Sequence, residues 1–342
     1  MTSQPIIPVS KAVLPFYLGI DVGGTGIKIG VVDDEGKTLG FHAIPTEEPL
    51  GPSDAMRRVT ASASALLATL GLSCKDIVRV GLGTPGSQDI SKGMLIEPPN
   101  HPHWHHFPIV KCLEDAIETP VSFANDANAA AFGEFWVGTG KVYSSMVLLT
   151  LGTGVGGGII IDNQLVVGHN SFGGECGHMI IDSRPDARLC VWGGGRGHLE
   201  AYASASAVAQ RAKEELVKGA ISSLQNEIET LTTKRIYQAA ITGDAFSLKI
   251  IDETADYLAL GIATIVHTLD PGLIVLGGAM NFGGANSPVG TRFLKRIEET
   301  FRQRSFEYVA NGTKIEFASL GGDAGYLGAA GIGRMEFKKL LG

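Results

Sequence analysis

The sequence holds no apolar run near the ~20 residues that a membrane-crossing helix needs, which excludes a helical membrane protein. Cysteine is scarce: Cys74, Cys112, Cys176 and Cys190 are the only four, and their spacing is not that of a disulfide framework. No long run of Lys or Arg occurs, and 28 basic against 35 acidic residues leave a formal charge of −7. A basic nucleic-acid-binding patch is therefore not expected. Nor is the chain short of apolar residues, at 44% hydrophobic and 18% charged, so disorder is excluded. Residues 1–14 lack the ordered regions of a signal peptide, since Lys11 follows a Pro-Ile-Ile-Pro-Val patch. A reducing, cytoplasmic location is expected. What the chain has in excess is glycine, 46 residues against a usual share of about 7%. These are clustered, which suits backbone that turns tightly or approaches a ligand.

With 342 residues, two domains with separate cores are expected. Strand patterns over 16–21 and 27–33 flank a turn at Gly23-Gly24-Thr25-Gly26, and Asp34-Glu35-Gly36 turns into a third strand. A helical period opens at Ser53-Asp54 and runs through Met56, Val59, Ala63, Leu66, Leu67 and Leu70. Strand, glycine turn and strand then recur: 145–151, Gly152 to Gly158, and 159–162. That repetition predicts a duplicated α/β unit, one per domain. Helices are expected over 199–218, 246–269, 288–303 and 324–341, with a strand at 273–276 that runs into Gly277-Gly278.

Two motif matches are set aside. Gly152-x-Gly154-x-x-Gly157 has the spacing of a dinucleotide fingerprint, but the strand-like Ile159-Ile160-Ile161 follows where a helix is required. Gly36-Lys37-Thr38 resembles the end of a P-loop, yet Val31 stands where its first glycine belongs. More specific is Asp21-Val22-Gly23-Gly24-Thr25-Gly26-x-Lys28. Glycines in a tight hairpin aim backbone N–H groups at phosphate oxygens, Thr25 adds a hydroxyl, and Asp21 at the strand end can hold Mg²⁺ through water. Asn125-Asp126 lies where a β-prone run meets an Ala-rich helix. A carboxylate there can act as general base on a bound hydroxyl, and Asn125 both donates and accepts hydrogen bonds, as a polyol requires. Alone, Asp126 reads as an ordinary helix cap; the two glycine turns around it favour the chemical role. His101-Pro102-His103-Trp104-His105-His106 has irregular spacing and reads as a loop near the cleft, not a metal site.

Ile20 to Thr25, Gly83-Thr84-Pro85-Gly86, Asn125 to Ala130, Leu151 to Gly158 and Gly174-Glu175-Cys176-Gly177-His178 occur in an order that resembles the ROK family of bacterial sugar kinases and repressors. Asp270-Pro271, Ile274 to Ala279 and Leu320 to Gly325 are similar to its later motifs, so the resemblance covers roughly residues 16–335. It implies an α/β, two-domain actin/hexokinase-like (ribonuclease H-like) fold with a duplicated βββαβα-type core. Residues 1–124 with 324–342 would form the smaller domain and 125–323 the larger. The sugar would lie near Gly83, Asn100, Asn125 and Asp126, with Glu175, His178 and Glu200 reading its other hydroxyls. ATP would be held by Asp21, Gly23, Gly24, Thr25 and Lys28, by Gly152, Thr153 and Gly154, and by Gly277 and Gly278 at the nucleoside. Asp126 would take the proton, in a chemistry that is mostly positioning and charge neutralisation.

The family's histidine in Gly-Glu-x-Gly-His and three cysteines hold a structural zinc. Here His198 replaces the last cysteine and Cys190 is one place out of frame, which leaves His178, Cys190 and His198, with Cys176 as a strained fourth. Bound zinc is not expected. The implied activity is an ATP- and Mg²⁺-dependent hexose kinase acting on the 6-hydroxyl of glucose, in a homodimer without nucleic-acid or membrane partners. N-acetylglucosamine and N-acetylmannosamine are alternative substrates, fructose a weaker one, and polyphosphate an alternative donor. A sugar-responsive repressor is disfavoured, because 19 residues precede Ile20, too few for a helix-turn-helix domain. A filament-forming or chaperone-like actin relative would leave Glu175, His178 and Glu200 without a purpose.

Overall fold

The computed structural model describes residues 2–98, 101–190 and 195–342. The chain divides into two compact units: 1–142, 158–174 and 319–342 in the first, 143–157 and 175–318 in the second. Each sheet begins as a hairpin meander and then adds parallel strands. The first contains β1 (Phe16–Val22), β2 (Gly26–Val32), β3 (Thr38–Pro45), β4 (Ile77–Thr84) and β5 (Val121–Asn125), ordered β3-β2-β1-β4-β5. The second contains β6 (Met146–Leu151), β7 (Val155–Ile161), β8 (Gln164–Leu165), β9 (Leu273–Gly277) and β10 (Lys314–Phe317), ordered β8-β7-β6-β9-β10. The two orders are the same pattern used twice, as the repeated strand, glycine turn and strand predicted. A strand, β7, follows the Gly152 to Gly154 turn, so the dinucleotide-type helix is indeed absent there.

In the first unit β1 and β4 are almost wholly buried, as strands covered on both faces must be. One face packs Leu18, Ile20 and Ile29 against α1 (Pro52–Thr69) and α2 (Ile109–Ile117). Helix α1 buries Met56, Val59, Ala63, Leu66 and Leu67, the stripe its periodicity implied. The other face carries Tyr17 and Val32 against the C-terminal helix Ala324–Lys339 through Tyr326 and Leu327. That helix approaches closely because Gly19 and Gly81 have no side chain; a Cβ at Gly81 would fall 1.7 Å from the Ala329 carbonyl oxygen. Helix α3 (Asp126–Trp136) lies against the same helix, where a Cβ at Gly328 would fall 1.6 Å from the Ala129 carbonyl oxygen. This packing groups residues 125–142 with the first unit, whereas the sequence assigned them to the larger domain.

In the second unit the helix expected over 199–218 is broken. A single turn at Glu200–Ala203 is followed by α4 (Ala205–Val217), because Ser204 is extended and caps α4 by accepting the Ala207 N–H at 3.1 Å. Then come α5 (Thr233–Ile241), α6 (Ala245–Leu269) and α7 (Pro288–Arg304). Among the described residues no helix is long and apolar enough to cross a membrane.

Candidate active site

In the first unit the parallel strands β1, β4 and β5 end side by side. Asp21 pairs in register with Gly83, Gly83 with Ala124, and Thr84 with Asn125. The carboxyl ends of parallel strands are where open α/β sheets bind ligands. This edge gathers Asp21, Gly83, Asn125 and Asp126, with Gly23, Gly24 and Thr25 in the turn leaving β1.

Asn125, not Asp126, is the N-cap of α3: its Oδ1 accepts the Ala127 N–H at 2.9 Å, and its Nδ2 donates to the Gly86 carbonyl at 3.3 Å. Asp126 is the first helical residue, with Oδ1 accepting the same Ala127 N–H at 2.8 Å. The cap thus falls to the amide and leaves the carboxylate at the helix N-terminus, where negative charge is favoured.

Asp21 projects against the first turn of the C-terminal helix. A Cβ at Gly325 would fall 2.3 Å from its Oδ2, so only glycine admits the carboxylate there. Burial pushes the Asp21 carboxyl above its usual range, against the pull of Lys28 at 3.4 Å. Lys28 Nζ also donates to the Gly322 carbonyl at 2.5 Å, which fixes the ammonium beside the turn. The turn is closed by Gly23 N–H to the Gly26 carbonyl at 2.9 Å. It is held from outside by Thr46, whose hydroxyl donates to the Gly23 carbonyl at 2.7 Å and whose N–H donates to the Thr25 carbonyl at 3.1 Å.

In the second unit the Gly152 to Gly154 turn is closed in the same way, Gly152 N–H to the Gly154 carbonyl at 3.0 Å. The start of α4 supports it: Ala205 N–H donates to the Gly152 carbonyl at 2.8 Å and Ser206 Oγ to the Thr153 carbonyl at 3.0 Å. Gly277 pairs with Thr150. Gly278 has φ +88°, and a Cβ there would meet the Leu151 carbonyl oxygen at 2.3 Å. Both therefore border the end of the strand that feeds the turn. Buried Glu200 accepts the Val155 N–H at 2.8 Å through Oε2 and the Cys190 thiol at 3.3 Å through Oε1. Glu175 is pushed above the ordinary carboxylate range by burial, opposed by His178, whose Nε2 is 3.9 Å away, and reinforced by Glu200. Asn100 lies outside the described residues, as do residues 191–194 of the cysteine-poor run.

His178, Cys190 and His198 place ligand atoms within 4.8 Å of one another. That group does not include Cys176, so it offers three donors where a closed structural zinc site uses four. The two histidines instead face each other, Nδ1 to Nδ1 at 3.0 Å. The donor set does not fit a closed four-ligand site, and no step below passes through zinc. Asp21, a carboxylate at a strand end with a partly open side chain, does suit a hydrated Mg²⁺.

The sequence did not single out Thr46, Gly325 or Gln88. Gln88 Nε2 donates to the Thr84 carbonyl at 2.7 Å and the Ala124 carbonyl at 3.3 Å, tying the ends of β4 and β5. None of the three stands in a motif, and each contacts the site from far along the chain.

A family model described as the ROK family matches residues 17–335. The glucokinase of Halalkalibacterium halodurans is 35% identical over 316 residues, covering 92% of this chain and 93% of that protein. The ROK hexokinase from Thermus thermophilus is similar in structure, with a TM-score of 0.80, 30% identity, and coverage of 95% of this chain and 99% of that one. A ROK family glucokinase from Streptomyces griseus, in complex with glucose and AMPPNP, gives a TM-score of 0.73 at 31% identity, with 94% and 99% covered.

Proposed function

The chain belongs to the ROK family, and from that premise we propose how its residues divide the work. The protein is a hexokinase-type sugar kinase that uses ATP to phosphorylate glucose. Asp126 is the general base. It takes the proton of the glucose 6-hydroxyl as that oxygen bonds to the γ-phosphorus, and the bond to the β–γ bridging oxygen breaks to release ADP. What supports this role is the position of Asp126: it leads α3 from the carboxyl end of β5, in the row that also ends in Asp21, while Asn125 takes the capping duty.

The turn after β1, with Gly23, Gly24 and Thr25, donates backbone N–H groups and a hydroxyl to phosphate oxygens; Lys28 adds positive charge. Gly152, Thr153 and Gly154 do the same from the second unit, and Gly277 with Gly278 borders the nucleoside. Magnesium, held by Asp21 through water, supplies charge neutralisation at the phosphates. Glu175, His178 and Glu200 belong to the sugar side together with Gly83, Asn100 and Asn125. The homodimer expected from the resemblance, free of nucleic acid and membrane, completes the reading; the −7 charge supports the lack of a nucleic-acid partner.

The test is a coupled assay with glucose, N-acetylglucosamine, N-acetylmannosamine and fructose, each with ATP and with polyphosphate. Glucose with ATP should have the highest kcat/KM. Asp126→Ala should lose about 10²–10⁴-fold or more in kcat while it retains the fold and much of the glucose affinity. Near wild-type turnover in that variant would sink the assignment. Metal analysis of the purified protein should find zinc well below one atom per chain.

A further inference from the structure

His101 is almost fully buried, at 1% exposure, and neither ring nitrogen has a hydrogen-bond partner of ordinary geometry among the described residues. Buried polar groups are nearly always satisfied, and leaving one unpaired costs about 1–3 kcal/mol. The sequence does not make this ring easy to place by accident. His101 N–H donates to the Pro98 carbonyl at 3.0 Å, and its own carbonyl accepts Trp104 N–H at 2.9 Å, which fixes the backbone on either side. The Trp104 indole, itself in the core of the first unit, packs on the imidazole with ring centroids 4.9 Å apart. Glu48 anchors the same segment by accepting the His103 N–H at 2.8 Å, and its carbonyl accepts Trp104 Nε1 at 3.2 Å. So held, the ring lies against the backbone of Gly23.

Burial depresses the imidazole below its ordinary range, while the Gly23 backbone and the Glu48 carboxylate pull the other way. The ring is therefore neutral at pH 7 and keeps one N–H to donate.

The Gly23 carbonyl matters because of the peptide it belongs to. A carbonyl oxygen has two lone pairs, and Thr46 Oγ1 takes one at 2.7 Å. In a planar trans peptide the Gly23 C=O and the Gly24 N–H point in opposite directions. Donors that grip the carbonyl from behind therefore aim the Gly24 N–H outward, and on the Gly24 side a Cβ would meet nothing within 4 Å. We propose that His101 is a positioning residue for the phosphate turn, supplying the second donor to the Gly23 carbonyl and so orienting and polarising the Gly24 N–H toward an ATP phosphate. This rests on the reading that the Gly23 to Gly26 turn holds the phosphates. His101 touches no substrate itself; it acts through one peptide plane, in partnership with Thr46.

The test compares His101→Leu, His101→Gln and Thr46→Val, with melting temperature and KM for ATP and for glucose measured on each. Leu fills the site without a donor, so His101→Leu should raise KM for ATP about 3–10-fold, the worth of one neutral hydrogen bond, with kcat and KM for glucose within twofold. His101→Gln restores an N–H donor at similar reach and should bring KM for ATP back toward wild type. Thr46→Val should shift the same constant in the same direction. If Thr46→Val raises KM for ATP and His101→Leu leaves it unchanged, the role of His101 is wrong. It is equally overturned if His101→Leu lowers the melting temperature and worsens both substrates alike, or if Gln rescues nothing. If Thr46→Val and His101→Leu both melt normally and both leave KM for ATP unchanged, the phosphate reading of this turn fails with it.

Discussion

The two glycine turns share one design and differ in what surrounds it. In each, a buried strand delivers the chain to a glycine whose N–H closes the turn onto a carbonyl two or three residues on, Gly23 to Gly26 and Gly152 to Gly154. The first turn is flanked by charge: Asp21 at the end of its strand and Lys28 across from it, 3.4 Å apart. The second has no charged residue between Leu151 and Ile161 and is braced by helix α4 and by the carboxylate of Glu200. Backbone amides suffice to cradle an anion in both. Only the first also carries a group able to meet a divalent cation, and it bears the desolvation cost of that carboxylate.

Replacing Asp21 by Asn makes the first turn resemble the second, and should have the largest effect. A drop in kcat/KM of about 10²–10³ is expected, the usual loss when a charge-organising group is removed. The fold should become more stable, because the carboxylate is held charged against burial. The sign follows from the raised native pKa: between the unfolded value near 3.8 and the native one, the native state binds more protons than the unfolded state. Stability from this group is thus fully present below pH 3.8 and falls as pH rises through the native pKa. Thermal melts of wild type and Asp21→Asn across that window should diverge as pH rises. A variant that melts at or below the wild-type temperature at pH 7 contradicts this account.

The second turn depends on backbone geometry. Gly278→Ala forces a side chain onto φ +88° and toward the Leu151 carbonyl, and should destabilise by about 1–3 kcal/mol in a denaturant titration. Glu200→Ala removes the acceptor of the Val155 N–H and should cost about 1–3 kcal/mol; Glu200→Gln keeps an acceptor and should cost less. Equal losses for the two Glu200 variants would show that the amide contact is not what braces the turn.

The strands and the turns between them were legible because burial on both faces writes continuous apolar runs, and glycine punctuates them. Asn125-Asp126 was legible because its residue types limit what the position can do. Short amphipathic elements were not: α2 buries only Ile109, Leu113 and Ile117, and α5 only Ile236, Ala239 and Ala240, too few positions to establish a period. The division of capping between Asn125 and Asp126 depends on rotamers, which spacing does not encode. Thr46, His101 and Gly325 escaped for another reason. Each meets the first turn or Asp21 across a long loop of chain, so its partner is set by how the sheet and the C-terminal helix pack, not by any local pattern.

The finest contrast lies in how each turn's first carbonyl is gripped. Gly23 is held by the side chain of buried Thr46, whereas Gly152 is held by a main-chain donor, the N–H of Ala205. Ala205 is the first residue of α4, the helical position that tolerates proline, and Ser204 before it is already extended at φ −76°, ψ 160°. Ala205→Pro therefore deletes this one donor and leaves the helix in place. It should cost about 1 kcal/mol and raise KM for ATP a few-fold. Ser206→Ala removes the neighbouring bond to the Thr153 carbonyl, which is exposed to water, and should cost about half as much. A melting-temperature series in which Ser206→Ala exceeds Ala205→Pro would mean that side chains, not the helix backbone, hold the second turn, and the contrast with the first would disappear.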